Sequence, residues 1–99
     1  MTYLKEIALA SLVSLALPSM VQAECFADYK AKQTGGDLKL HYGVIAVPDK
    51  LCGQSERVTA YIEKRIGSHG WQLLRVMSSF DENGLDARAE DAGEYFLRY

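Results

Sequence analysis

The sequence lacks the charge surplus and the motifs that mark several common functions. Its 11 Lys and Arg residues stand against 13 Asp and Glu residues, which gives a net charge of −2. Proteins that bind nucleic acid or an anionic membrane surface usually carry a basic surplus. The sequence also has no glycine-rich phosphate loop and no zinc-type spacing of cysteine and histidine. We therefore expect no nucleic-acid partner and no cofactor.

Catalytic groups are scarce as well. The histidines are His41 and His69, and no motif ties a serine to either of them and to an acid. His41 lies on the polar side of a predicted strand, without a second imidazole at strand or helix spacing, and we interpret it as solvated. His69 stands beside Gly70 at a predicted helix end, which favours a capping role over general-base catalysis. We expect no enzymatic activity and no catalytic residues.

The sequence has one long apolar run, residues 7–17, and this run is too short to span a membrane. Lys5 precedes it, Pro18 ends it, and Val21–Ala23 places small residues where a signal peptidase cuts. The pattern predicts that residues 1–23 are a cleaved signal peptide and that residues 24–99 form one small domain. A lipid anchor would need cysteine as the first mature residue, and Glu24 stands there instead. The expected location is periplasmic or secreted, with no membrane attachment after cleavage.

Both cysteines, Cys25 and Cys52, lie in the predicted mature chain. Because an exported protein meets an oxidising compartment, two cysteines suggest one disulfide. A loop of about 27 residues would contribute about 3–4 kcal/mol to stability in the chain-entropy model. Two independent free thiols are the alternative. A redox role is disfavoured because there is no Cys-x-x-Cys to lower a thiolate pKa.

Alternation and helical periodicity predict the main elements. Leu38, Leu40, Tyr42 and Val44 share one side of the second strand by its period of two, and a capping Ser55 begins the helix. The second and third strands are apolar on both sides in part, and we expect both to be central in the sheet. Trp71 opens the third strand and is interpreted as core. These elements are strands at Cys25–Gln33, Leu38–Val47 and Trp71–Phe80, and a helix at Glu56–Ser68.

The last part of the chain begins with an acidic connection at residues 81–94. Its carboxylates are a candidate for calcium, although the EF-hand spacing is absent and a solvated loop is the simpler interpretation. Leu85–Ala92 is left open between a short helix and a long loop. Glu94–Tyr99 alternates Tyr95, Leu97 and Tyr99 with other residues, and this pattern predicts a fourth strand.

Three stretches of the chain resemble a known family. Tyr42–Ile45, Gly67–Val76 and Tyr95–Arg98 are similar to the hallmark of a family of very small, uncharacterised bacterial domains. That hallmark is Tyr-x-Val-Val, a helix ending in Gly-Ala-Glu-Gly-Trp-Glu-Leu-Val, and a final aromatic strand. Gln72 replaces the usual Glu, and Ser68 and His69 replace Ala-Glu. The resemblance implies a β-α-β-β core and no established activity, and the whole chain also resembles hypothetical secreted proteins of alphaproteobacterial type.

The expected fold is α+β: a small antiparallel or mixed sheet of about four strands, in the order β-β-α-β-β, with one main helix on one face. An apolar patch on the other face would mark a partner surface, such as that of a homodimer. We expect a non-enzymatic structural or protein-interaction module, with a small-ligand or calcium-binding protein as the alternative. The residues predicted for the other face are His41, Ile45, Gln72, Leu74, Val76, Ser78, Phe96 and Arg98.

Overall fold

The computed structural model describes residues 23–99, so the predicted signal peptide lies outside the described residues except for Ala23. The strands are β1 (Ala23–Gln33), β2 (Lys39–Pro48) and β3 (Gln72–Phe80), and the helices are α1 (Ser55–Gly67) and α2 (Asp86–Ala92). Short 3₁₀ turns occupy Asp49–Leu51, Glu82–Gly84 and Gly93–Tyr95. No helix among these residues is long and apolar enough to cross a membrane. The α+β class is confirmed.

The sheet of the described chain has three strands in the order β2-β1-β3, and both pairings are antiparallel. The predictions of about four strands and of one main helix are wrong. The expectation that β2 and β3 are central is also wrong, because β1 lies between them. Ala27 and Ala31 of β1 are fully buried beside Tyr29. Small side chains add little to a hydrophobic pattern, yet they suit a central strand that is packed closely on its face.

The predicted fourth strand is absent from the described residues because its backbone is not extended. Gly93–Tyr95 forms a 3₁₀ turn, and Leu97 has a φ of 55°, which interrupts an extended segment. Between them, Phe96 forms a single parallel bridge with Val44, and the Leu97 N–H donates to the Val44 carbonyl over 2.9 Å. The segment therefore crosses the outer edge of β2 at one point and does not extend the sheet.

Helix α1 packs on one face of the sheet, which we call the helix face. Val58, Ile62 and Ile66 recur at helical spacing and are buried. They contact a core that includes Tyr29, Ile45 and Trp71, so the prediction of Trp71 as core is confirmed. Ser55 is the first helical residue and makes no capping bond, contrary to prediction. Gly70 has a φ of 86°, the left-handed conformation expected after a helix end.

We call the other side of the sheet the open face. Several side chains lie on a different face from the one that the sequence predicted. His41 and Ile45 pair with Ala31 and Ala27 and so belong to the helix face. Leu40 pairs with Lys32 and lies on the open face, where it is 65% exposed. The apolar alternation at the start of β2 thus points away from α1, because one side of a strand cannot be told from the other by period alone.

The predicted disulfide is confirmed. Cys25 and Cys52 are bonded, with their Cα atoms 6.0 Å apart and 27 positions apart in sequence. The bond ties the start of β1 to the loop that leads into α1. It closes a covalent loop that runs from β1 through β2 to the segment before α1, and this loop reduces the conformational freedom of the unfolded chain.

Candidate functional site

Helix α2 is held against the open face by a polar network around Asp28. The Arg88 guanidinium lies 3.1 Å from the Asp28 carboxylate, through Nε and Oδ2. Ser78 Oγ and Tyr42 Oη also donate to this carboxylate, over 2.6 and 2.7 Å. Arg88 further stacks on the Phe80 ring, with 3.8 Å from Cζ to the ring centroid. These contacts place a short acidic helix over one half of the open face.

The Asp28 carboxylate is 7% exposed and stays ionised because its surroundings are polar. Burial raises its pKa, but the hydrogen bonds from Ser78, Tyr42 and Arg88, together with the charge of Arg88, outweigh burial and leave the pKa below its ordinary value. The same carboxylate raises the pKa of Tyr42 to about 12, after burial as the larger cause. The network thus holds one anion and one cation under α2 in a fixed arrangement.

On the helix face, His41 stands inside a group of aromatic rings that we call the aromatic cluster. His41 stacks on Tyr95, with centroids 3.8 Å apart, and meets Trp71 edge-on at 4.2 Å. The Trp71 indole N–H donates to Tyr99 Oη over 3.1 Å. The main-chain oxygen of Tyr99 also accepts from Arg65 of α1. The members of the aromatic cluster are Tyr29, His41, Trp71, Tyr95 and Tyr99.

His41 is 8% exposed, so the prediction that it is solvated is wrong. Its Nε2 lies 3.0 Å from Tyr29 Oη, and its Nδ1 has no hydrogen-bond partner among residues 23–99. Burial lowers the pKa of His41 to about 4, although the charge of Glu94 opposes the shift. Burial likewise raises the pKa of Tyr29 above its ordinary range. The low pKa means that the imidazole is neutral at pH 7, where it packs against the rings of the aromatic cluster.

The half of the open face that α2 leaves uncovered is apolar in the middle and basic at its margins, and we call it the open half. Leu40 and Leu74 are 65% and 48% exposed. With Lys30 and Tyr42 they line a shallow groove of about 300 Å³. Lys30, Lys32 and Arg75 belong to the same face, because Lys30 pairs with Arg75 and Lys32 with Leu40. Such a surface suits a partner that is itself apolar with acidic margins.

The acidic connection 81–94 folds into a 3₁₀ turn and a short helix. Asp81 accepts from the backbone N–H of Asn83 and starts a 3₁₀ turn, and Asp86–Ala92 forms α2. Among residues 23–99, no three His, Cys, Asp or Glu side chains gather where they could hold a metal ion. Three carboxylates of the segment, at Asp86, Glu90 and Asp91, lie on α2.

The Asp28–Arg88 pair and the aromatic cluster were missed in the sequence, and only the pair left a signal. Arg88 is a single cation within an acidic run, and Asp28 is an acid in an otherwise alternating strand. A partly buried ion pair requires one charge of each sign, and these two segments supply them. Tyr95 and Tyr99 carried no comparable signal, since their spacing of four fits a strand and a folded-back segment equally well.

Comparison of the chain with protein-family models, with curated proteins and with solved structures returns no match. Function is therefore argued from the geometry of the described residues.

Proposed function

We propose that this protein is an exported, non-enzymatic interaction module that binds another polypeptide through the open half of its sheet. The observation that carries the proposal is that Leu40 and Leu74 are exposed beside a row of cations. The sheet that presents them is packed against α1 on one face and against α2 on half of the other. Exposed apolar side chains that adjoin charged ones are typical of protein-binding surfaces. The disulfide Cys25–Cys52 supports the export part of the proposal.

The chemistry elsewhere in the described chain supports binding over catalysis. Ser78 donates to Asp28, and His41 is bonded to Tyr29, so these side chains do not form a nucleophile–base pair. Asp28 is occupied by three donors. A reactive group would need an open side toward a substrate, and each of these groups is instead part of the packing.

Site-specific photo-crosslinking in intact cells tests the proposal. A photoreactive residue in place of Leu40 should give a discrete adduct of defined mass, since Leu40 lies in the groove. The matched control replaces Glu63, an exposed residue of α1 on the opposite side of the molecule. The proposal is wrong if Leu40 gives no adduct, or if both positions give the same diffuse ladder.

A further inference from the structure

We infer that the occupant of the open half is the α2 helix of a second copy of this chain, in a two-fold dimer where each α2 covers the open half of the other. The inference rests on the proposed function and names its partner.

The open face has a step. Asp28 and Lys30 are two positions apart on β1 and so lie on the same face, about 7 Å from each other along the strand. Asp28 lies under α2, held by Arg88, whereas Lys30 borders the groove. Helix α2 therefore rises above the sheet by about its own diameter of 10 Å next to an uncovered level. Two such faces fit together when one copy is rotated by 180° relative to the other, so that α2 of each copy meets the open half of the other.

The two levels of the step carry opposite charges. Helix α2 turns its one cation, Arg88, inward to Asp28, and its buried Ala92 lies on the same side one turn later. Its outward side is left with exposed carboxylates, at Asp86 and Glu90, which are about half a turn from Arg88 around the helix. The open half presents cations, at Lys30, Lys32 and Arg75. In the turned arrangement, the acids of each copy meet the bases of the other, and the leucines of the groove are covered.

The two-fold symmetry of this contact limits the assembly to a dimer. Because the same two patches meet twice, the interface is isologous and ends at two copies instead of growing into a filament. Pairing of two copies through their sheet edges is disfavoured, because one edge is bulged and the other is partly covered. In β3 the pairing to β1 skips Leu74 and Met77, and such bulges twist an edge strand away from a flat partner. On the other side, the bridge from Phe96 covers part of the β2 edge.

Charge reversal and mixing test the inference on the full mature chain by analytical ultracentrifugation. Lys30→Glu with Lys32→Glu sets acids against the acidic α2, and Asp86→Lys with Glu90→Lys sets bases against the basic half. Each pair alone should weaken the dimer at least about tenfold, because like charges then face each other twice. Mixing the two variants should restore a dimer that contains one chain of each. The control Lys64→Glu reverses an exposed charge on α1 and should leave the dimer constant unchanged.

The outcomes separate this inference from the proposed function. A wild-type chain that sediments as a monomer at every concentration, while Leu40 crosslinks to a different protein, overturns the second copy and leaves the interaction module standing. A monomer without any Leu40 adduct overturns both. A wild-type dimer that neither reversal weakens, or a mixture that fails to form the mixed dimer, overturns the pairing of α2 with the open half.

Discussion

At the scale of single residues, Gly43 leaves room for the ring of Tyr29. Tyr29 is fully buried and is paired with Gly43 of the neighbouring strand. A Cβ at Gly43 would come within 2.6 Å of both Cζ and Oη of Tyr29. The glycine thus provides the space in which the ring reaches His41, and the aromatic cluster depends on it.

Gly43→Ala should lower the free energy of unfolding by about 1–3 kcal/mol, because the Tyr29 ring has no room to retreat. Urea unfolding followed by tryptophan fluorescence measures the change, since Trp71 belongs to the same cluster. Gly35→Ala is the matched control: nothing lies within 4 Å of a Cβ there, and stability should hardly change. Equal effects of the two substitutions would contradict this account of Gly43.

His41 should make stability depend on pH in one window. Its pKa is about 4 in the folded protein and near 6.5 when unfolded, so the unfolded chain binds a proton first as pH falls. Stability should therefore fall between about pH 6.5 and pH 4, by up to about 3 kcal/mol from this group, and His41 should contribute no change above that window.

Comparing urea midpoints of variants across this window isolates the histidine. His41→Phe keeps an aromatic ring but cannot titrate, so its stability should fall less steeply with acid than that of the wild type. Gly35→Ala leaves the aromatic cluster intact and should keep the wild-type slope. A wild-type slope in His41→Phe would show that other groups cause the acid sensitivity.

At the scale of elements, the Arg88 side chain links α2 to Asp28 of the central strand. Arg88→Gln should lower the free energy of unfolding by about 1–3 kcal/mol, because Asp28 loses a charged hydrogen-bond partner while it stays buried. The pKa of Asp28 should rise, since burial then acts against fewer donors. Amide hydrogen exchange in residues 86–92 should accelerate as the helix loosens.

Glu90→Gln is the control for this prediction, because Glu90 is an exposed residue of the same helix. It should change stability by no more than about 0.5 kcal/mol. Unchanged exchange across α2 in Arg88→Gln would mean that the helix is held by its apolar side, including Ala92, and not by the ion pair.

The elements were predictable where the local pattern alone decides the structure. The stripe of Val58, Ile62 and Ile66 defines α1, and Gly70 ends it, so this helix and the strands next to it follow from the sequence. The last segment does not, because the positive φ of Leu97 is a tertiary effect that its side chain does not announce. The face of β2 that meets α1 also depends on its partners, since Leu40 is as apolar as Ile45.

The candidate surface shows the same division between local pattern and tertiary contact. An open, partly apolar sheet face was expected from the sequence, and Leu74 was among its predicted residues. Its outline was not predictable, since it depends on which half α2 covers. That choice follows from the pairing of Asp28 with Arg88, which are 60 positions apart in the chain.

At the scale of the whole molecule, the disulfide joins the start of β1 to the loop before α1, which is not a strand of the sheet. Replacing Cys25 and Cys52 by serine should lower the free energy of unfolding by about 3–4 kcal/mol, as a closed loop of about 27 residues predicts. Thiol reduction of the wild type should give the same loss in urea unfolding. A wild-type protein that is indifferent to reductant would contradict the proposed contribution of the bond.

Export makes a separate prediction about the covalent molecule. The chain recovered from the periplasm should begin at Glu24, and alkylation should add no mass until a reductant is present. Intact mass spectrometry measures both properties at once. Alkylation without reductant, or a retained leader, would remove the export proposal while leaving the geometry of the open half unaffected.

The aromatic cluster sets an order of events for a chain made from its first residue onward. Tyr95 and Tyr99 complete the packing around His41 and Trp71, yet both leave the ribosome after every strand and both helices. Arg88 likewise emerges long after Asp28, so both faces of the sheet are completed by residues that are synthesised after β3. A chain exported as we propose would therefore complete this packing only after residues 86–99 have crossed the membrane.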